Sequence, residues 1–181
     1  MNSSDMQGEL ERLHPDCFGW ALCCCRQRRD DAEEALQAAY LKVLDGKARF
    51  QGGSSLRTWL FGVIRHTAAE QRRRRWLRDA LLLNWYSRMP AAIWRTDQHD
   101  SLGEAERSRA LRTALEKLPA RQREVLHLVF YQEMTVDEAA LAMQIAKGTA
   151  RIHFERGKSR LREILAGNDS RKQVFLKKEA P

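Results

Sequence analysis

The sequence predicts an all-α protein of two small helical domains joined by a flexible linker. Three observations carry this expectation. Leu and Ala, at 22 each, far outnumber Val, Ile and Thr at 6, 5 and 6, and such a balance favours helix over sheet. Glycine and proline supply 14 of 181 residues, too few to punctuate a sheet of many strands. Apolar residues recur with helical period on either side of a stretch, 90–104, that has no periodicity. The expected organisation is a first domain over 1–89, a linker over 90–104, a second domain over 105–166 and a basic tail over 167–181.

Taken in order, a first helix is expected from about Met6 to Gln27, bent near Pro15. Asp30, with Glu33 three residues on, suits the cap of a second helix, whose apolar positions are Leu36, Tyr40, Val43 and Leu44 with Gly46 as its stop. Phe50 to Ser55 is a loop by composition, and Ser54 or Ser55 can cap the third helix. Leu56, Trp59, Leu60, Val63, Ile64, Thr67 and Ala68 form an amphipathic stripe. Thr58, Phe61, Gly62, Arg65, Ala69 and Arg72 form the opposite face. A separate helix is expected near Trp76 to Met89.

Beyond the linker, Ala105 to Leu118 reads as a helix stopped by Pro119, which can also open the next one. Val125, Leu126, Val129 and Phe130 give that helix its buried stripe. Thr135-Val136-Asp137-Glu138 is a capping box for a short helix through Met143. Gln144 to Lys147 is a tight connection. A last helix runs from about Gly148 to Leu165, and the tail from Gly167 is expected to fray.

Net charge is +8, and Arg outnumbers Lys by 24 to 8. Residues 1–45 carry a net −4, 46–80 a net +7, 111–145 a net −1 and 146–181 a net +6. The chain is an acidic block followed by a basic block, written twice. Two separated basic blocks suggest two contacts with a polyanion, and Arg suits phosphate and guanine because its planar fork bonds twice.

Thr135 to Arg162 reads as helix, short turn, helix: the helix-turn-helix unit. In its second helix Ala150, Phe154, Gly157 and Leu161 share the packing face. Gly148, Ile152, Glu155, Arg156 and Ser159 lie opposite, flanked by Arg151 and His153. An outward isoleucine on a basic helix makes sense against a thymine methyl in a major groove. Arg151 and Arg156 can take guanine or phosphate, and Glu155 can accept from a cytosine amine.

Three further stretches resemble one family, the extracytoplasmic-function (group IV) sigma factors of bacterial RNA polymerase, in the sigma-70 family. Asp31 to Leu41, DAEEALQAAYL, resembles the polymerase-binding helix DAEDLVQEVFL. Phe50 to Leu60, FQGGSSLRTWL, resembles FRGEASLRTWL. Leu118 to Leu126, LPARQREVL, resembles LPPRQREVL. The resemblance spans roughly residues 10–89 and 105–165. It implies a transcription initiation factor that takes core RNA polymerase to promoters, with no cofactor. Asp31, Glu34 and Gln37 would grip the β′ clamp helices, and the β subunit would be a further contact. Gln51, Gly52, Gly53, Ser54 and Ser55 would hold a base flipped from the −10 element, with Arg65 and His66 helping to open and read it. Lys147, Thr149, Arg151, Ile152, His153, Glu155 and Arg156 would contact the −35 element. An anti-sigma factor is a common partner in the family. Departures from the family pattern are Ala38 for Glu, His66 for Asn, Gln144 for the turn glycine and Ala146 for a capping Ser or Asp.

The alternative class is a free-standing helix-turn-helix regulator, which would need neither the acidic helix nor the glycine loop. Cys17, Cys23, Cys24 and Cys25 lie within nine residues. Cys17, Cys24 and Cys25 with His14 could form a soft-metal or redox site, but core packing is the expected role. No phosphate-binding glycine loop, HExxH or nucleophile elbow points to an enzyme. No apolar run approaches the ~18 residues of a membrane helix, and Met1 to Leu13 lacks a signal-peptide pattern, so a cytoplasmic protein is expected.

Overall fold

A computed structural model describes residues 3–86 and 106–178, with side chains over 5–79 and 111–166. Among these residues every regular element is an α-helix: α1 Ser3–Cys24, α2 Arg29–Leu44, α3 Leu56–Tyr86, α4 Glu106–Glu116, α5 Ala120–Phe130, α6 Val136–Met143 and α7 Lys147–Lys178. The chain divides into two units, Met1–His99 and Asp100–Pro181. The expected linker, 90–104, lies outside the described residues.

In the first unit α1, α2 and α3 pack pairwise against one another. Pro15 sits inside α1. The α1–α2 turn is tight because Arg26 and Gln27 both adopt left-handed backbone, at φ 57° and 63°. Asp30 does not cap α2. The helix begins earlier than the acid pattern suggests, with Arg28 at the N-cap and no side-chain cap bond. Asp30 and Asp31 instead fall in the first turn, where carboxylates suit the helix dipole. The end of α2 is as expected, with Gly46 at φ 69°.

α3 departs most from the pattern. It runs without a break through Trp76, where a separate helix was expected. Its first half is buried on more than one side: Leu60, Ile64, Thr67 and Ala68 of the stripe are buried, and so are Thr58, Phe61 and Gly62 opposite. The beginning of the face expected opposite the stripe is therefore interior, while Arg65 and Ala69 are partly exposed and Arg72 is exposed. Phe61 stacks on Trp20 at 5.9 Å, and its carbonyl accepts from the Trp20 indole N–H at 2.9 Å. Leu44, expected in the core, is 48% exposed.

In the second unit α5, α6 and α4 each pack on α7. Pro119 stands at the N-cap of α5, one position before the expected helical turn. Val125, Leu126 and Leu128 are buried, whereas Phe130 is exposed and meets the Phe154 ring at 5.8 Å. The LPARQREVL stretch is structural in this unit. Leu118 is core, its carbonyl lies 3.5 Å from the Arg123 guanidinium, and buried Glu124 pairs with Arg121 at 3.6 Å. Thr135 and Glu138 form the reciprocal capping box of α6. Gln144 ends α6 in the left-handed region, at φ 53° and ψ 49°. The tail expected to fray continues the backbone of α7 to Lys178.

Candidate nucleic-acid interface

α7 presents two contrasting faces because the helical period separates them. On one, Ala150 is fully buried, and a Cβ added at Gly157 would stand 3.1 Å from Leu126 Cδ1 and 3.3 Å from Gln122 Cβ. Glycine is what lets α5 and α7 approach this closely. On the other, Lys147, Gly148, Thr149, Arg151, Ile152, Glu155 and Arg156 are exposed or partly exposed. Ile152 is 52% exposed. His153 is intermediate, and its Nδ1 is buried without a hydrogen-bond partner among the described residues. The face pattern read from the sequence is the one observed.

The exposed cations of α7 are unequally engaged. Lys147 donates to Asp137 on α6 at 2.8 Å, and Arg151 lies 3.6 Å from the other oxygen of the same carboxylate. Glu155 accepts from Lys158 at 3.2 Å. Arg156 has no recorded partner among the described residues. Ala146 offers no side chain to cap α7, whose first bond is Ala150 N–H to the Ala146 carbonyl at 3.0 Å.

In the first unit, Gln51, Gly52, Gly53 and Ser55 are exposed and Ser54 is intermediate, so the loop is open to solvent. Its two ends are held. Phe50 meets Trp59 at 5.4 Å, and the Ser55 hydroxyl accepts the Thr58 N–H at 3.1 Å, which caps α3. Gly52 has φ 78°, a backbone L side chains rarely adopt, while Gly53 needs no such freedom. A Cβ at either glycine would meet nothing within 4 Å. His66 is exposed and Arg65 intermediate, both further along α3 from that loop.

The arginine run 72–75 looks on sequence like a polyanion contact. Three of its four side chains bond within the first unit, although Arg72, Arg73 and Arg74 remain exposed. Arg72 donates to the Cys24 carbonyl at 2.7 Å. Arg74 pairs with Glu70, which also accepts from Lys42 at 2.8 Å. Arg75 pairs with Asp31 and reaches Glu34 at 3.4 Å. Arg73 has no recorded partner among the described residues.

This fixes the state of the acidic face of α2. Asp31 is only 14% exposed and is held by both Arg75 and Arg28. Glu34 and Gln37 are exposed, and Leu41 and Leu44 continue their face at 59% and 48% exposure. Sequence reasoning missed Leu41 and Leu44 as surface residues. The signal was available: they stand four and seven residues from Gln37, on one helical face. It missed Arg75 as a partner of Asp31 because the two are 44 residues apart.

All four cysteines are buried. Burial pushes the Cys17 thiol up to about 12 and the Cys25 thiol up to about 11. Among the described residues no three His, Cys, Asp or Glu side chains are grouped to hold a metal ion. Among them, no helix is long and apolar enough to cross a membrane.

Residues 10–78 match the family of sigma-70 region 2, and residues 108–161 match that of sigma-70 region 4. The extracytoplasmic-function RNA polymerase sigma factor SigX of Bacillus subtilis is 29% identical over 163 residues, covering 84% of this chain and 79% of that protein. EcfG of Rhodopseudomonas palustris is 31% identical over 138 residues, covering 75% and 72%. Among solved structures, the sigma factor RpoE of Bartonella quintana, in complex with the anti-sigma factor NepR, aligns with a TM-score of 0.72 and 26% identity, covering 90% of this chain and 97% of that one. Two sigma-70 regions in order, each on its own helical unit and the second bearing a helix-turn-helix, make this chain a member of the extracytoplasmic-function sigma factors, the subunits that give RNA polymerase its promoter specificity.

Proposed function

We propose that the two units divide promoter recognition, the first taking the −10 element and the second the −35 element, while α2 holds the polymerase. The observation that carries this reading is Ile152. A half-exposed isoleucine among Lys147, Thr149, Arg151, Glu155 and Arg156, opposite buried Ala150, is placed where a major groove offers thymine methyls and base edges. His153 borders this surface rather than forming it.

Holoenzyme binding to a panel of single-base −35 variants tests the assignment. Arg156→Ala is expected to cost ~1–3 kcal/mol at one base and to relax specificity there. Ile152→Ala acts more weakly, and only at a thymine step. An equal loss across the panel for Arg156→Ala makes it a phosphate contact and refutes the proposed facing of α7.

For the first unit, the exposed loop Gln51 to Ser55 with Arg65 and His66 forms the −10 surface. A backbone without Cβ atoms and with open space around Gly52 and Gly53 supports close approach of an extruded base. Gly53→Val is the cleaner probe, since Gly52→Val also strains the chain at φ 78°. On α2, Glu34 and Gln37, continued by Leu41 and Leu44, are the proposed contact with the β′ clamp helices. Asp31 supports that face from beneath, because its carboxylate is already engaged by Arg75 and Arg28. The β subunit is a further contact. The chain acts as a cytoplasmic initiation factor and not as an enzyme. An anti-sigma factor is a proposed partner, supported by the likeness to a sigma factor crystallised with one.

A further inference from the structure

The N-terminus of α7 carries a cation where a helix disfavours one. Lys147 is the first residue of the helix, and no acidic residue stands in its first turn. The positive end of the helix dipole opposes that charge. The compensating anion comes from the neighbouring helix: Asp137, in the first turn of α6, accepts from Lys147 at 2.8 Å and lies 3.6 Å from Arg151. Asp137 is free for this because Thr135 and Glu138 make up the capping box without it. The hydrogen bond from Lys147 holds the Asp137 carboxyl below the usual range, so it stays ionised at neutral pH.

The pairs are poorly sheltered. Lys147 and Arg151 are 65% and 70% exposed and Asp137 is 39% exposed. Ion pairs of this kind are weak and exchange readily with other charges. In a helix-turn-helix the first helix crosses the DNA backbone as the second enters the groove. That geometry brings the phosphates to the side of the turn where Asp137 meets Lys147. An arriving phosphate then finds one carboxylate on the two cations it needs.

We infer that Asp137 is an internal competitor of the DNA backbone, occupying Lys147 and Arg151 until phosphate displaces it and so limiting sequence-independent binding. This rests on the reading of α7 as the DNA-contacting helix. The effect falls on the phosphate contacts, which carry no sequence information. Removing the carboxylate therefore tightens binding to cognate and non-cognate duplexes alike.

The experiment reconstitutes holoenzyme with the wild-type chain, Asp137→Asn, Lys147→Ala and the double variant. Binding is measured to a promoter duplex with its −35 element intact and to one with it scrambled, between about 50 and 200 mM salt. Asp137→Asn is expected to tighten both duplexes by about two- to five-fold at low salt and to steepen the salt dependence. Lys147→Ala weakens both, and the gain from Asp137→Asn shrinks in its background. Unchanged or weaker binding by Asp137→Asn, while Lys147→Ala still weakens it, overturns the inference and leaves the DNA-contact reading standing. No effect of Lys147→Ala on either duplex overturns that reading, and the inference with it. Thermal melting of each free chain controls for folding, and Asp137→Ser provides a second neutral variant if Asn destabilises α6.

Discussion

Arg75 is expected to hold α3 onto α2, and breaking its pair with Asp31 should show as lost stability of the first unit. The perturbation is a double-mutant cycle of Asp31→Asn and Arg75→Gln. The magnitude follows from exposure. Fully exposed ion pairs are worth about 0.2–1 kcal/mol, and hydrogen bonds to charged groups away from water about 1.5–3 kcal/mol. Asp31 at 14% and Arg75 at 31% side-chain exposure lie between these cases, so a coupling of about 1–1.5 kcal/mol is expected. Asp31→Asn should cost more than Arg75→Gln. It loses the pairs with both Arg75 and Arg28, whereas Asp31 keeps Arg28 when Arg75 is removed. The assay is urea unfolding followed by tryptophan fluorescence. All five tryptophans, Trp20, Trp59, Trp76, Trp85 and Trp94, belong to Met1–His99, so the signal reports that unit alone. Additive single effects, with coupling below about 0.3 kcal/mol, refute the clasp. Undiminished stability in Asp31→Asn with lost affinity for core polymerase would return Asp31 to the contact surface.

The remaining expectations concern both units. Burial holds the His127 imidazole down from 6.5 to about 4. Its neutral form is the folded one, so the second unit is fully supported above the unfolded pKa near 6.5 and loses up to about 3 kcal/mol as pH falls towards 4. Circular dichroism of urea unfolding across that range checks this, and a flat profile, or an undiminished slope in His127→Gln, counts against it. Gln144→Gly should stabilise the second unit by about 1 kcal/mol, because it relieves a left-handed residue at φ 53°; a lower melting temperature refutes this. Cys17 and Cys25, with thiols raised to about 12 and about 11, should resist alkylation at pH 8 in the folded chain and react on unfolding. Rapid modification of the native protein, or stoichiometric zinc lost on Cys→Ser substitution, would give the cluster a chemical role.

The helical class, the second-unit capping box and the two faces of α7 were legible in the sequence because each is local. Thr135 and Glu138 are three residues apart, and Ala150 and Ile152 differ by a fixed angle on one helix. What escaped was decided by partners far away in the chain. Phe61 looked like an outward residue until Trp20, 41 residues earlier, covered it and bonded to its carbonyl. A separate helix was expected near Trp76, yet nothing in 72–75 stops a helix, and arginine is a good helix former. Asp30 fitted a cap by its spacing to Glu33, but Arg28 took the N-cap and Asp30 fell with Asp31 inside the first turn. At the interfaces, the types of residue were readable and their engagement was not.

That distinction changes the meaning of the alternating charge blocks. Counted along the chain, the basic blocks look like two sets of cations waiting for DNA. In the folded units, some cations of each basic block are answered by the acidic block before it. In the first unit, Asp16 takes Arg57, Asp31 and Glu34 take Arg75, and the basic-block acid Glu70 takes Lys42 and Arg74. In the second unit, Asp137 takes Lys147 and Arg151. Each unit thus carries some of its own counter-charges. Arg72 and Arg75 are spent on cohesion, with a buried carbonyl and a shielded carboxylate as partners, and DNA has little to offer in exchange. Lys147 and Arg151 are held by an exposed carboxylate, where a phosphate can compete. Net charge therefore overstates the cations without a counter-charge in the first unit, and in the second Lys147 and Arg151 already share Asp137 while Lys158 pairs with Glu155.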